Sequence, residues 1–316
     1  MITATASQIF PTMSAYISDL IHLLQQHADP RTKDFPLIGN PTMVLTLIAC
    51  YLYVVKIGGP RWMEDRKPYD LRKTIMVYNL VMVALNVFFF TKFLTHSYLG
   101  GGYSLLCQGI DFDDPKSIPI VTYCWWYFIV RILDFADTMF FLLRKKYSHI
   151  SFLHVVHHSL VVWNGWLFIT FGSDGQGILG VSINSFIHIV MYTYYFLSAF
   201  GPSVQKYLWW KKYITTMQIL QFAVFIVFVC VPLFKDCGYP KILTYLAATQ
   251  CFFFLVLFVN FYIHTYTRVK KGEVHFFCGN YEAGPAPAEG GAVLKNGVVK
   301  NNTLQNGLTH RKPLAH

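Results

Sequence analysis

Long apolar runs follow one another along most of the chain. Seven are long enough to cross a bilayer as helices, at residues 38–57, 74–94, 118–143, 153–172, 178–198, 212–234 and 242–264. A membrane β-strand would need only about ten residues of alternating character, so the run lengths favour helices. The pattern therefore predicts an all-α membrane protein with seven transmembrane helices.

The two ends of the chain differ from this central region. Apolar residues recur at helical spacing between positions 17 and 24, which predicts a short amphipathic helix within a lumenal N-terminal segment, residues 1–35. No signal peptide is expected there, because a basic start and a cleavage site are missing. Residues 276–316 are rich in Gly, Pro, Ala and Asn and are expected to form a disordered cytosolic tail. The seven-helix catalytic domain would then span residues 36–275.

Polar side chains interrupt the apolar runs at helical spacing. His154, His157 and His158 occupy relative positions 0, 3 and 4, so one helix face carries three imidazoles. A lone histidine in a membrane helix would more simply hydrogen-bond a neighbouring helix. Three within five positions favour a functional site, because such groups are costly to bury in lipid.

Three other runs carry polar stripes. The third contains Arg131, Asp134, Asp137 and Thr138; the fifth contains Asn184, His188, Met191, Tyr192 and Tyr195; the sixth contains Thr215, Gln218 and Gln221. Arg131 and Asp134 are three residues apart and can form an ion pair. This pair does not explain why a second acid, Asp137, is present in the same run. Taken singly, such residues usually hold helices together.

Composition and charge agree with a membrane protein. Hydrophobic residues make up 54% of the 316, charged residues only 13%, and the mean hydropathy is +0.40. The net charge of +10 comes from basic residues that flank apolar runs, so no nucleic-acid function is expected. Most Lys and Arg follow the first, third, fifth and seventh runs, which predicts a lumenal N-terminus and a cytosolic C-terminus.

This topology places the polar stripes at similar depth. Counted from the cytosolic end of each run, the strongest polar groups of four consecutive helices lie roughly 6 to 15 Å deep. We therefore expect an enclosed polar chamber that opens to the cytosol and continues as an apolar cavity toward the lumen.

Five of the seven cysteines fall into two groups by expected position. Cys107 and Cys237 fall in loops on the lumenal side, where a disulfide is permitted, although two free thiols are an equally ordinary outcome. Cys124, Cys230 and Cys251 lie deeper than the predicted chamber. Histidine, not cysteine, would then carry a nucleophilic or basic role.

Three classes of protein have histidines or topology of this kind. Di-iron desaturases and hydroxylases use HxxHH boxes but need roughly eight histidine ligands, and only His149 and His188 lie near the cluster, so no metal site is expected. A non-enzymatic seven-helix receptor shares the topology but would not need four polar stripes at one depth. Acyl transfer can use neutral imidazoles with nearby carboxylates and no cofactor.

Four ordered motifs resemble those of the very-long-chain fatty acid elongases, the 3-ketoacyl-CoA synthases of the endoplasmic reticulum. They are HVVHH from His154, RILDFADT from Arg131, HIVMYTYY from His188 and TTMQILQ from Thr215. The resemblance covers about residues 30–275. Arg131 and Asp134 depart from the usual Lys and Glu, which keeps the charges but alters their reach.

The resemblance implies an architecture and a reaction. Six helices would surround an acyl-chain tunnel in the endoplasmic reticulum membrane while the first helix packs outside. Long-chain acyl-CoA would condense with malonyl-CoA, releasing CO2 and CoA, to give a 3-ketoacyl-CoA longer by two carbons. Membrane lipid would surround the protein, and its expected partners are other elongation-cycle enzymes and a second copy in a homodimer.

Site residues take distinct roles in this hypothesis. His157 and His188 would form the reacting pair, while His154, His158, Asp134 and Asp137 orient the imidazoles, and Asn184 and Tyr192 stabilise developing negative charge. Arg131, Tyr195, Gln218 and Gln221 would contact substrate. CoA phosphates would bind some of Arg144, Lys145, Lys146, Lys211, Lys212 and Arg268, although loop topology alone also explains most of these bases.

Overall fold

The computed structural model describes residues 28–267. The expected N-terminal amphipathic helix, the C-terminal tail and Arg268 lie outside the described residues. Within residues 28–267 every regular element is a helix, as the run lengths predict.

Eight principal helices follow in chain order. They are α1 (Pro41–Met63), α2 (Arg72–His96), α3 (Ser117–Leu133), α4 (Phe135–Leu143), α5 (Phe152–Phe171), α6 (Gly177–Ser198), α7 (Lys211–Phe234) and α8 (Lys241–Thr267). In the described region, six of them are long and apolar enough to cross a membrane: α1, α2, α5, α6, α7 and α8. The chain is therefore a multi-pass membrane protein.

The third apolar run forms two helices instead of the single helix predicted over residues 118–143. Asp134 lies between α3 and α4. Its carboxylate is held from two sides, by Arg131 Nη1 at 3.1 Å and by the Tyr192 hydroxyl at 3.0 Å. Here the Asp137 N–H donates to the Asp134 carbonyl, a tighter turn than an α-helix uses. The break thus coincides with a buried ion pair.

Local sequence sets the start of the histidine helix. Ser151 precedes α5, and its Oγ accepts the His154 N–H at 3.2 Å. This bond satisfies one of the amide groups that a helix start leaves without a partner. The histidines therefore occupy the first two turns of a capped helix.

A core of large side chains joins α2, α3, α5 and α6. Phe93, Phe128 and Trp166 are almost fully buried there. The Trp166 indole N–H donates to the Leu37 carbonyl at 3.0 Å, so residues 28–40 fold across α5. In lipid such helices are held by close packing and interhelical hydrogen bonds, because the apolar surroundings provide little hydrophobic drive.

Cys107 and Cys237 form a disulfide between the loop before α3 and the loop before α8. We call this side of the bundle the disulfide end. The neighbouring residue Gln108 donates its N–H to the buried Gln176 side chain at 2.8 Å, and Gln176 in turn donates to the Phe228 carbonyl at 2.9 Å. The bridge and these bonds tie three loops of the disulfide end together.

A buried polar cap, consisting of Asp29, Arg31, Tyr103 and Asp174, also lies at the disulfide end. Arg31 Nη2 is 2.7 Å from Asp29 and its Nη1 is 3.2 Å from Asp174, and Tyr103 donates to Asp174. Burial opposes the charge of Arg31, but the two carboxylates raise its pKa above the usual value. Burial and then the charge of Asp174 raise the pKa of Tyr103. Arg31 is therefore held as a cation between two anions.

Removing this cation should destabilise the protein. Arg31→Met would leave Asp29 and Asp174 buried without their partner, and we expect a loss of about 3–5 kcal/mol. The midpoint of thermal unfolding in detergent measures this loss. Arg61→Met, which changes an exposed arginine, is the matched control. Equal midpoints for the two variants would contradict a stabilising role for the polar cap.

Candidate active site

An elongated cavity of about 230 Å³ lies inside the bundle. Five of the described helices border it (α3, α5, α6, α7 and α8), together with Tyr239 from the loop before α8. Six helices were expected, but α2 packs behind α3 and α6, and its Asn86 reaches Arg131. Along α5 the cavity extends from His157 to Ile169, about 18 Å at the rise of an α-helix.

The two ends of the cavity differ in chemistry. Arg131, His157, Asn184 and Gln221 border one end, which we call the polar layer. Beyond the polar layer the walls are mostly apolar and aromatic, and at the disulfide end they finish at Gly177, Val229 and Tyr239. A ligand with a polar head and a long apolar tail fits this gradient.

Arg131 organises the polar layer. Besides its ion pair with Asp134, its guanidinium donates to Asn86 Oδ1 at 3.1 Å, and its Nη1 lies 2.5 Å from His188 Nδ1 and 3.2 Å from His188 Nε2. Contacts from one atom to both ring nitrogens place the guanidinium against the face of the His188 imidazole. Arg131 therefore fixes the position and orientation of the His188 ring.

Asn184 presents its amide nitrogen to the cavity. The Tyr127 hydroxyl donates to Asn184 Oδ1 at 2.6 Å, which determines how the amide is turned. Asn184 Nδ2 has only a long contact, 3.5 Å, to Gln221 Oε1. Both amides border the cavity, so Nδ2 remains available to donate to a bound oxygen.

Two carboxylates share one hydroxyl behind the polar layer. The fully buried Tyr192 places its oxygen 3.0 Å from Asp134 and 2.8 Å from Asp137. A single hydroxyl donates to one acceptor at a time, so it can pass its hydrogen bond between them. These three residues support Arg131 and do not border the cavity.

Among the histidines in residues 28–267, His157 is the one that borders the cavity. Its ring packs against Phe254 and Phe258, with centroids 5.1 and 5.7 Å away. These two rings hold the imidazole in place without hydrogen-bonding it. In the described part of the chain, no three His, Cys, Asp or Glu side chains are grouped to hold a metal ion.

The other two histidines connect His157 to α4 and α1. The His158 ring lies 5.4 Å from His157 and 4.4 Å from His154. His154 Nε2 is 2.8 Å from Thr138 Oγ1, which is 2.9 Å from the Tyr51 hydroxyl. The series of polar groups can fix the tautomer of His154 and hold the neighbouring rings.

Several predicted site residues do not reach the cavity. His188 lies behind Arg131, so only His157 of the expected reacting pair borders the cavity. Tyr195 is 38% exposed, and Gln218 donates to Met191 Sδ at 3.6 Å. His188, Tyr195 and Gln218 therefore lie around the polar layer and do not line the cavity.

Basic residues surround His149, on the side opposite the disulfide end. We call the group the basic end; it comprises Arg144, Lys145, Lys146, Lys211 and Lys212. His149 stacks on Phe141, and burial, followed by the charges of Lys211, Lys146 and Arg144, lowers its pKa. Lys145 donates to the Glu64 carbonyl at 2.9 Å, and the Lys212 ammonium lies over the Tyr213 ring. The charged groups of Arg144, Lys146 and Lys211 remain available to a bound anion.

Sequence reasoning missed Asn86, Tyr127 and the polar cap. Asn79 and Asn86 are seven residues apart in the second apolar run and are both buried, so their spacing was a usable signal. Tyr127 stands in a run already rich in aromatic residues, where one more phenol carries little signal.

Comparison with known proteins identifies the family of this chain. Residues 36–274 match the family model described as ELO: GNS1/SUR4 family. The chain belongs to this family. A very long chain fatty acid elongase of Aedes aegypti is 42% identical over 257 residues, covering 81% of this chain and 72% of that protein.

Two further relatives extend the comparison. Very long chain fatty acid elongase 4 of Homo sapiens is 39% identical over 283 residues, 89% of this chain and 90% of the relative. Very long chain fatty acid elongase 7 of Drosophila melanogaster is 40% identical over 248 residues, 78% of this chain and 75% of the relative. This ELO-family membrane protein therefore takes part in fatty acid elongation, a part of lipid biosynthesis.

Proposed function

We propose that this protein condenses a long-chain or very-long-chain acyl-CoA with malonyl-CoA. Malonyl-CoA loses CO2, and the resulting enolate carbon forms a bond to the acyl carbonyl carbon. The bond from that carbon to sulfur breaks, directly or after transfer of the acyl group to an imidazole. CoA leaves as a thiolate that takes up a proton, and the product is a 3-ketoacyl-CoA longer by two carbons.

The observation that carries the proposal is the position of His157. Its ring borders the polar end of the cavity, and the apolar part continues from there along α5 to Ile169. An acyl chain in the apolar part would bring its thioester carbon to the polar layer, beside this imidazole. A neutral imidazole there can attack the carbonyl or accept a proton.

Arg131 and Asn184 are proposed to stabilise the negative charge that develops. The Asn184 amide is held by Tyr127 and keeps a donor toward the cavity, and Arg131 borders the same space. Donors fixed before the reaction stabilise an enolate or tetrahedral oxyanion strongly in a water-poor site. His188 is the proposed proton-transfer residue of the pair, acting from behind Arg131.

A membrane placement follows from the same proposal. α3 and α4 together would form a seventh span, and the cavity would serve as the acyl tunnel. The disulfide favours an oxidising lumen at its end, consistent with the endoplasmic reticulum. The basic end would then face the cytosol and bind CoA phosphates. The proposal includes assembly of the protein with other elongation-cycle enzymes or as a homodimer.

A reaction with purified protein tests the activity. The protein is incubated with stearoyl-CoA and malonyl-CoA labelled either at its free carboxyl or at the central carbon. We expect the carboxyl label in CO2 and the central label in a 3-ketoacyl-CoA, without reductant or iron. No product would contradict the proposal, and oxidation that requires oxygen and reductant would instead support the di-iron alternative.

A further inference from the structure

The apolar part of the cavity is narrowed by aromatic rings that stand against glycines. Gly177 and Gly180 lie three residues apart on α6, and both border the cavity. A Cβ at Gly177 would meet the edge of the Phe168 ring, and one at Gly180 would meet the edge of the Phe225 ring. Both rings also border the cavity, so each occupies its position because the glycine facing it has no side chain.

The two glycines lie at different depths. Asn184 of the polar layer is on the same helix, about 6 Å from Gly180 and about 10 Å from Gly177 at the helical rise. Beyond Gly177 the disulfide end is closed by Tyr239, which is 7% exposed and two residues from the bridged Cys237. The depth order from the polar layer is therefore Gly180, Gly177 and then Tyr239.

We infer that Gly180 and Gly177, with their Phe225 and Phe168 rings, and Tyr239 set the longest acyl chain that the cavity accepts. The inference rests on the proposed function. An alanine methyl at either glycine pushes the facing ring into the cavity, because carbon atoms normally keep about 3.5–4.0 Å apart. The ring edge is the far end of a flexible side chain, so it can move while the helices stay packed.

The geometry gives the direction and order of each effect. About 4.5 Å separate Gly180 and Gly177 along the helix. With carbon–carbon bonds of about 1.5 Å, a zigzag chain advances roughly 1.3 Å per carbon, so this distance corresponds to about three or four carbons. Gly180→Ala should shorten the accepted chain most and Gly177→Ala less. Tyr239→Ala should lengthen it by opening the closed end.

The test uses the purified full chain with malonyl-CoA and saturated acyl-CoA substrates that differ by two carbons. For each variant, kcat/KM is plotted against chain length. We expect a loss of roughly tenfold or more for the longest substrates in Gly180→Ala, the scale of forcing an extra carbon into packed space, and a smaller loss for short substrates. Tyr239→Ala should accept longer substrates than the unmodified protein.

Two matched variants separate cavity shape from general damage. Tyr239→Phe keeps the ring and should keep the length limit. Gly58 also faces an aromatic ring, with Tyr53 2.9 Å from an added Cβ, but does not border the cavity. Gly58→Ala should therefore leave the limit unchanged. If a glycine variant does not accumulate, the two Tyr239 variants decide the question.

The possible failures are distinguishable. If the unmodified protein forms no 3-ketoacyl-CoA, the proposed function fails. If it forms product but Gly180→Ala, Gly177→Ala and Tyr239→Ala all keep the same length limit, only the length assignment is overturned. A shift in Gly58→Ala equal to that in Gly180→Ala would overturn it as well.

Discussion

Replacing His157 with alanine is expected to reduce two-carbon extension by roughly 10²- to 10⁴-fold, the range that a positioned acid–base group contributes. His157 borders the cavity at its polar end. Alanine removes the imidazole from the acyl carbonyl but keeps the helix, because the His157 ring packs against Phe254, Phe258 and His158 and makes no hydrogen bond within the described residues.

The measurement is kcat with labelled malonyl-CoA, together with the midpoint of thermal unfolding of the same preparation. His96→Ala is the matched control, because His96 packs on Tyr123 outside the cavity. We expect the control to retain normal turnover. Near-normal turnover in His157→Ala, with product confirmed by mass spectrometry, would remove this residue from the mechanism.

Replacing Arg131 with methionine should impair both folding and turnover. Arg131 and Asp134 are each 3% exposed, and Asp134 would lose its cation while His188 and Asn86 lose a donor. We expect a destabilisation of about 3–5 kcal/mol, the usual cost of an unpaired buried charge. Thermal unfolding measures it, with Arg61→Met again as the exposed control; a midpoint equal to that of the control would contradict the prediction.

A double-mutant cycle then tests the pairing of Arg131 with Asp134. The usual residues of the elongase resemblance are Lys and Glu, so Arg131→Lys and Asp134→Glu each leave the pair mismatched in reach. We expect both single variants to lose stability and turnover. The double variant should recover part of both, with a coupling of about 0.5–3 kcal/mol. Strictly additive losses would show that the two residues act independently.

Local spacing was sufficient to predict much of the fold and of the histidine cluster. Run length identified the apolar helices, and the i, i+3 and i+4 rule placed His154, His157 and His158 together, as their ring contacts show. The same rule predicted the Arg131–Asp134 ion pair, which forms at 3.1 Å. These features depend on residues within one helix, whose geometry is fixed.

The way in which the helices face one another could not be predicted from spacing within single helices. Depth can be counted along a helix, but rotation of each helix about its axis depends on packing with its neighbours. Gln218 and Gln221 differ by about 60° around α7, and only Gln221 borders the cavity. The contact between Arg131 and His188 depends on how α3 and α6 face each other, and the break at Asp134 depends on Tyr192 from α6.

The polar cap shows a second limit. Asp29 and Arg31 come from one loop and Asp174 from another, and their pairing has no periodic signature in the sequence. Loop residues of opposite charge are common on soluble surfaces, so burial is what distinguishes these three. Only the folded arrangement reveals it.

The bridge between Cys107 and Cys237 spans 130 residues and makes a covalent ring of everything from α3 to α7. In the chain-entropy account, a ring of this size disfavours the unfolded chain by about 5 kcal/mol. Because Cys237 follows α7, the ring can close only after most of the helices have been synthesised. A host that makes the protein under reducing conditions would yield chains without this disulfide. The choice of expression system therefore decides whether the bridged or the reduced form reaches the assay.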